Sequence, residues 1–437
     1  MDEPRRPLWD PFVGLPALRP WIWIALAVVA VATQGPAFVA SLRPPADEGN
    51  DFFQEWAAAR NWLDGHPIYE PFSATVARYI GHDKSDVPIF YNAHPPTTVW
   101  FALPVAGLPY PDAGLVWNLA MLVVLIAGVV LVCRELDIRL AWWGWAPLIV
   151  VVLLYNPLRQ HFGLGQINLL MMLGIVLAWR AERHGRDVWA GVWIGLAAGV
   201  KLLPLFLLVI AALRGRWRIV AGGAAAFAAW CGLTWLLVGS GPFHDYARVV
   251  VPTLNASARS LWLNCSLPSL WAKLFDPNPA DRIVPLLDAP ALAAALRWAT
   301  TLALVAALVL VLRNKPVQTT PYDLGLTLTT MLLVSPVCYD TYVVILLPAL
   351  FLAWRELPPD GGPKALWLLA ALGCFAVEAE TLFSVVPGGV TGTAEPWHAA
   401  TVLAVRTYGL ILLWVGFFAL SAGARIATKE HHRTTTP

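Results

Sequence analysis

Charge is what this sequence has least of. Only 13% of its 437 residues are Asp, Glu, Lys or Arg, about half the share of an ordinary soluble domain, while 58% are hydrophobic. That imbalance excludes a soluble globular protein and points to a chain that crosses a membrane many times. The few charges nearly cancel, to a net +2, which excludes the strong positive field that nucleic-acid binding needs. Cysteine is scarce as well. Cys133, Cys231, Cys265, Cys338 and Cys374 form no CxxC and no Cys/His cluster, so their spacing predicts neither a disulfide framework nor a zinc site. No clean small-residue cleavage site follows Arg5, Arg6 and the first apolar run. That run therefore reads as a retained helix, not a removed signal peptide. Heptads, low-complexity tracts and obvious internal repeats are missing too.

What the sequence does have is apolar runs. A crossing helix takes about 20 such residues. The segments 21–40, 112–133, 142–157, 167–181, 188–201, 203–213, 218–238, 291–312, 322–337, 341–354, 364–386 and 398–423 read as twelve crossings with soft ends. The expected fold class is an all-α polytopic membrane protein, one domain over 1–437. The pair 188–201 and 203–213 reads as a broken or re-entrant hairpin, because "KLLP" interrupts it and irregular backbone survives at depth only where protein or a wet cavity satisfies it. Residues 95–110, rich in proline, make a poor spanning helix and read as a segment at the outer interface. Lysine and arginine clusters, "RAERHGR" and "RGRWR" among them, then fall on one side. The positive-inside rule makes that side, with both termini, cytoplasmic. Two long loops, 41–111 and 239–290, lie outside. The second holds "NAS" at 255 and "NCS" at 264, glycosylation acceptors only in a eukaryote.

Under this topology the outer face gathers an unusual polar set. "DFFQEWAAARNWLDGHPIYEP" starts at Asp51 and places Glu55 one turn further on the same helix face, with Trp56, Trp62 and Tyr69 close by. "YNAHPP" brings Tyr91 and His94, "LRQHFGLGQIN" brings Arg159, Gln166 and Asn168, and Lys201 sits at the tip of the broken pair. "SPVCYDTY" brings Tyr339 and Asp340. Each has a plain alternative. Asp51 and Glu55 read equally as solvated loop residues, Lys201 as a snorkelling lysine, and His94 as structural. Asp340, between apolar runs, is the hardest to dismiss, since an ionisable group there faces a cavity or a partner. The functional reading is a cavity at the outer leaflet. Asp51 is the general base for a hydroxyl acceptor, Lys201 and Arg159 are the phosphate binders, and the aromatic rings pack on a sugar.

These stretches, with "GLAAGVKLLPL" before "RGRWR" and "LLVSPVCYDTYVVILLPAL", resemble glycosyltransferase family 87, the integral-membrane, polyprenyl-phosphate-dependent GT-C enzymes that include bacterial mannosyl- and arabinosyltransferases. The similarity runs over most of residues 20–355 and rests on five elements in order. It implies transfer of a sugar from a polyprenyl-phosphate donor to a lipid or glycan acceptor on the extracytoplasmic side, with inversion and no nucleotide sugar; because the leaving group is already a phosphate anion, no cofactor and no metal are expected. It also implies a multi-pass protein of the bacterial inner membrane. It gives Asp51 the base role and matches Gln166, Asn168 and Lys201 to family positions; with them, the outer-face reading makes Glu55, Tyr69, Tyr91, His94, Arg159, Tyr339 and Asp340 the expected substrate-binding residues. The chain departs from the family where "CYDTY" replaces tryptophan and histidines, so no histidine role is carried over there. "YNAHPP" also stands where the family has a tighter Tyr-Pro-Pro element. The competing reading is a polytopic transporter or lipid flippase, which the broken helix suits but the scarcity of charge within the helices does not.

Overall fold

The computed structural model describes residues 17–46, 49–81, 92–138, 141–313, 321–355, 357, 362–384 and 395–434. Among these the secondary structure is helical, with no β-strand. Five segments are long and apolar enough to cross a membrane: Arg19–Ser41, Tyr110–Glu135, Trp217–Val238, Pro290–Leu312 and Pro396–Ala422. Trp145–Leu154, Asp187–Val200 and Tyr322–Val334 are apolar but shorter.

Several expected crossings are subdivided, each for a local reason. The 142–157 run gives a helix only over Trp145–Leu154. Tyr155 is extended, and a new helix, Asn156–Leu164, takes in residues expected to form an outer turn. Pro157 favours that restart, because its fixed φ and missing N–H suit a first helical turn. The helix before "SPVCYDTY" ends at Val334, since the residue preceding Pro336 is steered away from helical geometry. Beyond the turn, Asp340–Leu346 is a tight 3-10 helix that continues as Leu347–Arg355. The 364–386 run contains two helices, Gly362–Gly373 and Ala379–Ser384. The break at "KLLP" falls where expected: Asp187–Val200 stops, Lys201 is extended, and Leu205–Leu213 follows Pro204.

Two compact units are distinguished. The first holds Ala30–Arg139 and Pro157–Ala258; the second holds Met1–Val29, Leu140–Asn156 and Arg259–Pro437. In the first unit, the described part of 41–111 is largely helical, with Phe52–Leu63 and Phe72–Tyr79. The proline-rich stretch folds as three short helical turns over Pro96–Val105. Its Val99, Ala102 and Ala106 share a buried cluster with Ala58, Ala59, Ile68 and Tyr69. The helices Asp187–Val200 and Trp217–Val238 touch through their backbones. A Cβ on Gly191 would lie 2.0 Å from the Ile219 carbonyl oxygen, so only glycine permits the approach.

In the second unit, Asn264 ties two turns together. Its Oδ1 accepts from the Ser266 and Cys338 N–H groups, and its Nδ2 donates to the Pro336 carbonyl at 2.8 Å. The side chain is fully buried, so "NCS" is not a glycosylation acceptor here. Asn255 of "NAS" is exposed.

Candidate functional site

Asp51 occupies the N-cap position of the Phe52–Leu63 helix but makes no side-chain capping bond. An N-cap aspartate ordinarily accepts from the helix's own first N–H groups. Here the carboxylate turns away, and its Oδ2 accepts a short hydrogen bond from Gln166 Nε2. The Gln166 Oε1 accepts from Asn168 Nδ2 at 3.1 Å and from Lys201 Nζ at 3.2 Å. The amide thus has its donor on the acid and its acceptor on the amine. Acid and ammonium are coupled through one side chain across three stretches of sequence.

The backbone explains why these residues meet. Gln166 follows Gly165, whose φ of +65° suits glycine; a Cβ there would also lie 2.6 Å from the Phe52 side chain. Trp117 Nε1 donates to the Gly165 carbonyl at 2.9 Å. Asn118 Nδ2 donates to the carbonyls of Leu42 and Phe162. Asn50, beside Asp51, donates to the Gly163 carbonyl at 3.1 Å and accepts from Tyr110 Oη at 2.7 Å. His161 Nε2 accepts from Leu169 N–H at 3.2 Å, satisfying an open donor in the first turn of the Asn168–Arg183 helix. Lys201 is buried in extended backbone between two helices, so its ammonium is held by the fold. A cleft of about 450 Å³ is walled by Ser41, Arg43, Pro44, Gly49, Asn50 and Gly163 among others; Asp51, Gln166 and Lys201 are not among its lining residues.

Below Asp51, buried Glu55 contacts His94 Nδ1. His94 is placed by Asn92, whose Oδ1 accepts from the His94 N–H at 2.9 Å and whose Nδ2 donates to the Gln54 carbonyl. Burial raises the Asp51 carboxyl above the ordinary aspartate range; the Gln166 hydrogen bond opposes that shift, and the charge of Glu55 adds to it.

The other expected residues are distributed as follows. Tyr69 Oη donates to the His94 carbonyl at 2.6 Å and its ring lies in the core, so it positions His94. The aromatic faces expected to meet a sugar are used in packing. Trp56 is buried against Phe53 and Tyr110 with its indole N–H on the Leu108 carbonyl, and Trp62 packs on the Ala58–Tyr69 cluster. Arg159 is half-buried on the Asn156–Leu164 helix. Tyr91 lies outside the described residues. Tyr339 and Asp340 belong to the second unit, where Tyr339 meets the Tyr342 ring edge-on. There Asp340 Oδ2 accepts from Arg406 Nε at 2.6 Å, with both side chains under one-tenth exposed. Among the described residues no group of three or more His, Cys, Asp or Glu is disposed to hold a metal ion.

Sequence reasoning missed Asn50, His161 and Arg406. His161 works through a backbone group, and Asn50 through the Gly163 carbonyl and the Tyr110 hydroxyl, long-range contacts that no spacing reveals. Arg406, the single Asp, Glu, Lys or Arg in the apolar span Pro396–Ala422, carried a signal that intramembrane ionisable residues have partners.

Comparison with known proteins gives the geometry its context. The family model for glycosyltransferase family 87 matches residues 92–336, more than half of the chain. Over 410 residues the chain is 27% identical to a polyprenol-phosphate-mannose-dependent alpha-(1-2)-phosphatidylinositol mannoside mannosyltransferase of Mycolicibacterium smegmatis, spanning 86% of this chain and 85% of the relative. A polyprenol-phosphate-mannose-dependent alpha-(1-2)-phosphatidylinositol pentamannoside mannosyltransferase of the same species is 31% identical over 168 residues, 37% of this chain and 39% of the relative. A Mycobacterium tuberculosis phosphatidylinositol mannoside mannosyltransferase is 27% identical over 187 residues, 39% of this chain and 41% of the relative.

Proposed function

The chain belongs to glycosyltransferase family 87, and from that premise we propose that this membrane glycosyltransferase moves mannose from a polyprenol-phosphate donor to a phosphatidylinositol mannoside at the Asp51–Gln166–Lys201 cluster. The donor and acceptor classes are those named for its relatives. The observation that carries the reading is the bonded sequence from Lys201 through Gln166 to Asp51. It sets a proton acceptor and a fixed positive charge on either side of one amide, the two groups that substitution at a sugar phosphate needs.

The acceptor hydroxyl attacks C1 of the mannose from the face opposite the phosphate, and Asp51 takes its proton. The C1–O bond to phosphate breaks, and its electron pair leaves on the polyprenyl phosphate. Configuration at C1 is inverted. Asp51 Oδ2 is engaged by Gln166, so Oδ1 is the atom that receives the proton. Lys201 offsets the charge of the leaving phosphate, a role a buried ammonium fills well because little water screens it. In this reading the chain makes twelve crossings in a GT-C-like arrangement, with both termini cytoplasmic and Asp51 on the extracytoplasmic side of the bacterial inner membrane, where the phosphate of a lipid-anchored donor emerges.

The test is an incubation of the purified protein in detergent with radiolabelled polyprenyl-phosphate mannose and a phosphatidylinositol mannoside. Product formation without any membrane gradient is expected, and its absence under conditions that keep the protein folded contradicts the proposal and leaves the transporter reading. In the same assay Lys201→Ala is expected to raise the donor KM by about 10–100-fold, the equivalent of one hydrogen bond to a charged group. An unchanged KM removes Lys201 from the phosphate site.

A further inference from the structure

The second unit holds a pair of thiols for which the transfer reaction has no use. Cys265 Sγ and Cys338 Sγ lie 3.4 Å apart, at van der Waals contact, although 73 positions separate them in sequence. Both are buried. Their approach is fixed by backbone. Cys265 N–H donates to the Cys338 carbonyl at 2.7 Å, and Cys338 N–H donates to Asn264 Oδ1 at 3.0 Å. Lys273 Nζ braces the same turn through the Asn264 carbonyl at 2.6 Å. The single backbone bond between the two residues and the sulfur contact hold them side by side, the approach that a disulfide, with Cα atoms roughly 4.4–6.8 Å apart, requires. Closing the bond shortens the sulfur separation from 3.4 Å to about 2.0 Å.

We propose that Cys265 and Cys338 are a redox pair that closes into a disulfide, joining the turn at 261–266 to the turn at 335–339. The oxidant is a disulfide of a protein or of a small thiol. A Cys265 or Cys338 thiolate attacks it, forming a mixed disulfide and releasing one thiol. The second cysteine thiolate attacks the mixed disulfide and releases the other thiol. Two cysteine thiols are oxidised, one external disulfide is reduced, and the two protons end on the released thiols. Exchange requires access, so closure happens while the segment is still folding or is locally open. The bond closes a loop of about 70 residues, which narrows the unfolded ensemble. It also pins the turn leading into Tyr339 and Asp340. The sequence alone pointed away from this pairing because the partners are distant and share no motif.

The test uses the full-length protein, incubated with oxidised glutathione in sub-denaturing urea, quenched in acid, denatured, alkylated and digested without reductant. Peptide mass spectrometry is expected to find Cys265 linked to Cys338, and dithiothreitol to release both. Cys133, Cys231 and Cys374 remain outside the cross-link and serve as internal controls. The closed form is expected to melt about 5 °C or more above the reduced form, a gain absent from Cys265→Ser and Cys338→Ser. Should either variant fail to fold, the wild-type peptide map decides alone. Recovery of Cys265 and Cys338 as alkylated thiols, or as separate glutathione adducts, overturns the proposal.

Discussion

Asp51→Asn is expected to lower kcat for mannosyl transfer by about 10²–10⁴-fold, the usual worth of a general base, with donor KM little changed. The substitution keeps the shape and keeps an oxygen for Gln166 Nε2, so folding and membrane insertion are expected to stay intact. What disappears is the ability to accept a proton. The pH profile supplies a second readout. Burial holds the Asp51 carboxyl above the ordinary aspartate range, so the wild-type acid limb should lie above about pH 3.9. Below that limb the carboxyl is protonated, and kcat/KM falls tenfold for each unit. Above it the carboxylate is present and the rate reaches its plateau. Residual activity in Asp51→Asn should lack this limb. Near-normal turnover in the variant, or an unchanged acid limb, removes Asp51 from the base role.

The second large effect concerns stability. Arg406→Met is expected to destabilise the protein by about 3–5 kcal/mol, the cost of leaving a buried partner charge uncompensated. Arg406 is buried, its Nε bonds to Asp340 and its Nη2 to the Val377 carbonyl. The variant therefore loses a counter-charge and a carbonyl partner in one step. Thermal unfolding in detergent should show a Tm lower by roughly 10 °C. Adding Asp340→Asn should restore much of it, because the orphaned charge is gone. A Tm within about 2 °C of wild type for Arg406→Met would mean that the pair is solvated and structurally unimportant.

Local signals and long-range geometry were not equally legible in the sequence. The broken pair at Lys201 was visible because Pro204 and a lysine interrupt an apolar run, and both act on their immediate neighbours. The all-helical class followed from composition. The helix restart at Asn156 was missed because the apolar run stops there: "NPLRQH" is polar and reads as a turn, while Tyr155 and Pro157 change only the backbone. Family resemblance singled out Asp51, Gln166, Asn168 and Lys201 together, and the structure places all four in one hydrogen-bonded group within one unit. It could not tell that Trp56 and Tyr69 pack inward, since an aromatic ring reads alike whether it meets a sugar or a core. The Glu55–His94 contact and the Asp340–Arg406 pair depend on tertiary approach, which spacing does not encode. Cys265 and Cys338 are the plainest case: nothing local relates them, and one backbone hydrogen bond does.

The most direct measurement is photo-crosslinking with a polyprenyl-phosphate mannose that carries a diazirine on its sugar, followed by peptide mapping of the full-length protein. Adducts are expected on the segments around Asn50–Phe53, Gly163–Asn168 and Gly199–Leu202, competed away by unlabelled donor. Competable labelling confined to other parts of the chain, with these three segments clean, would show that the sugar binds elsewhere and that the Asp51–Gln166–Lys201 group is not the transfer site.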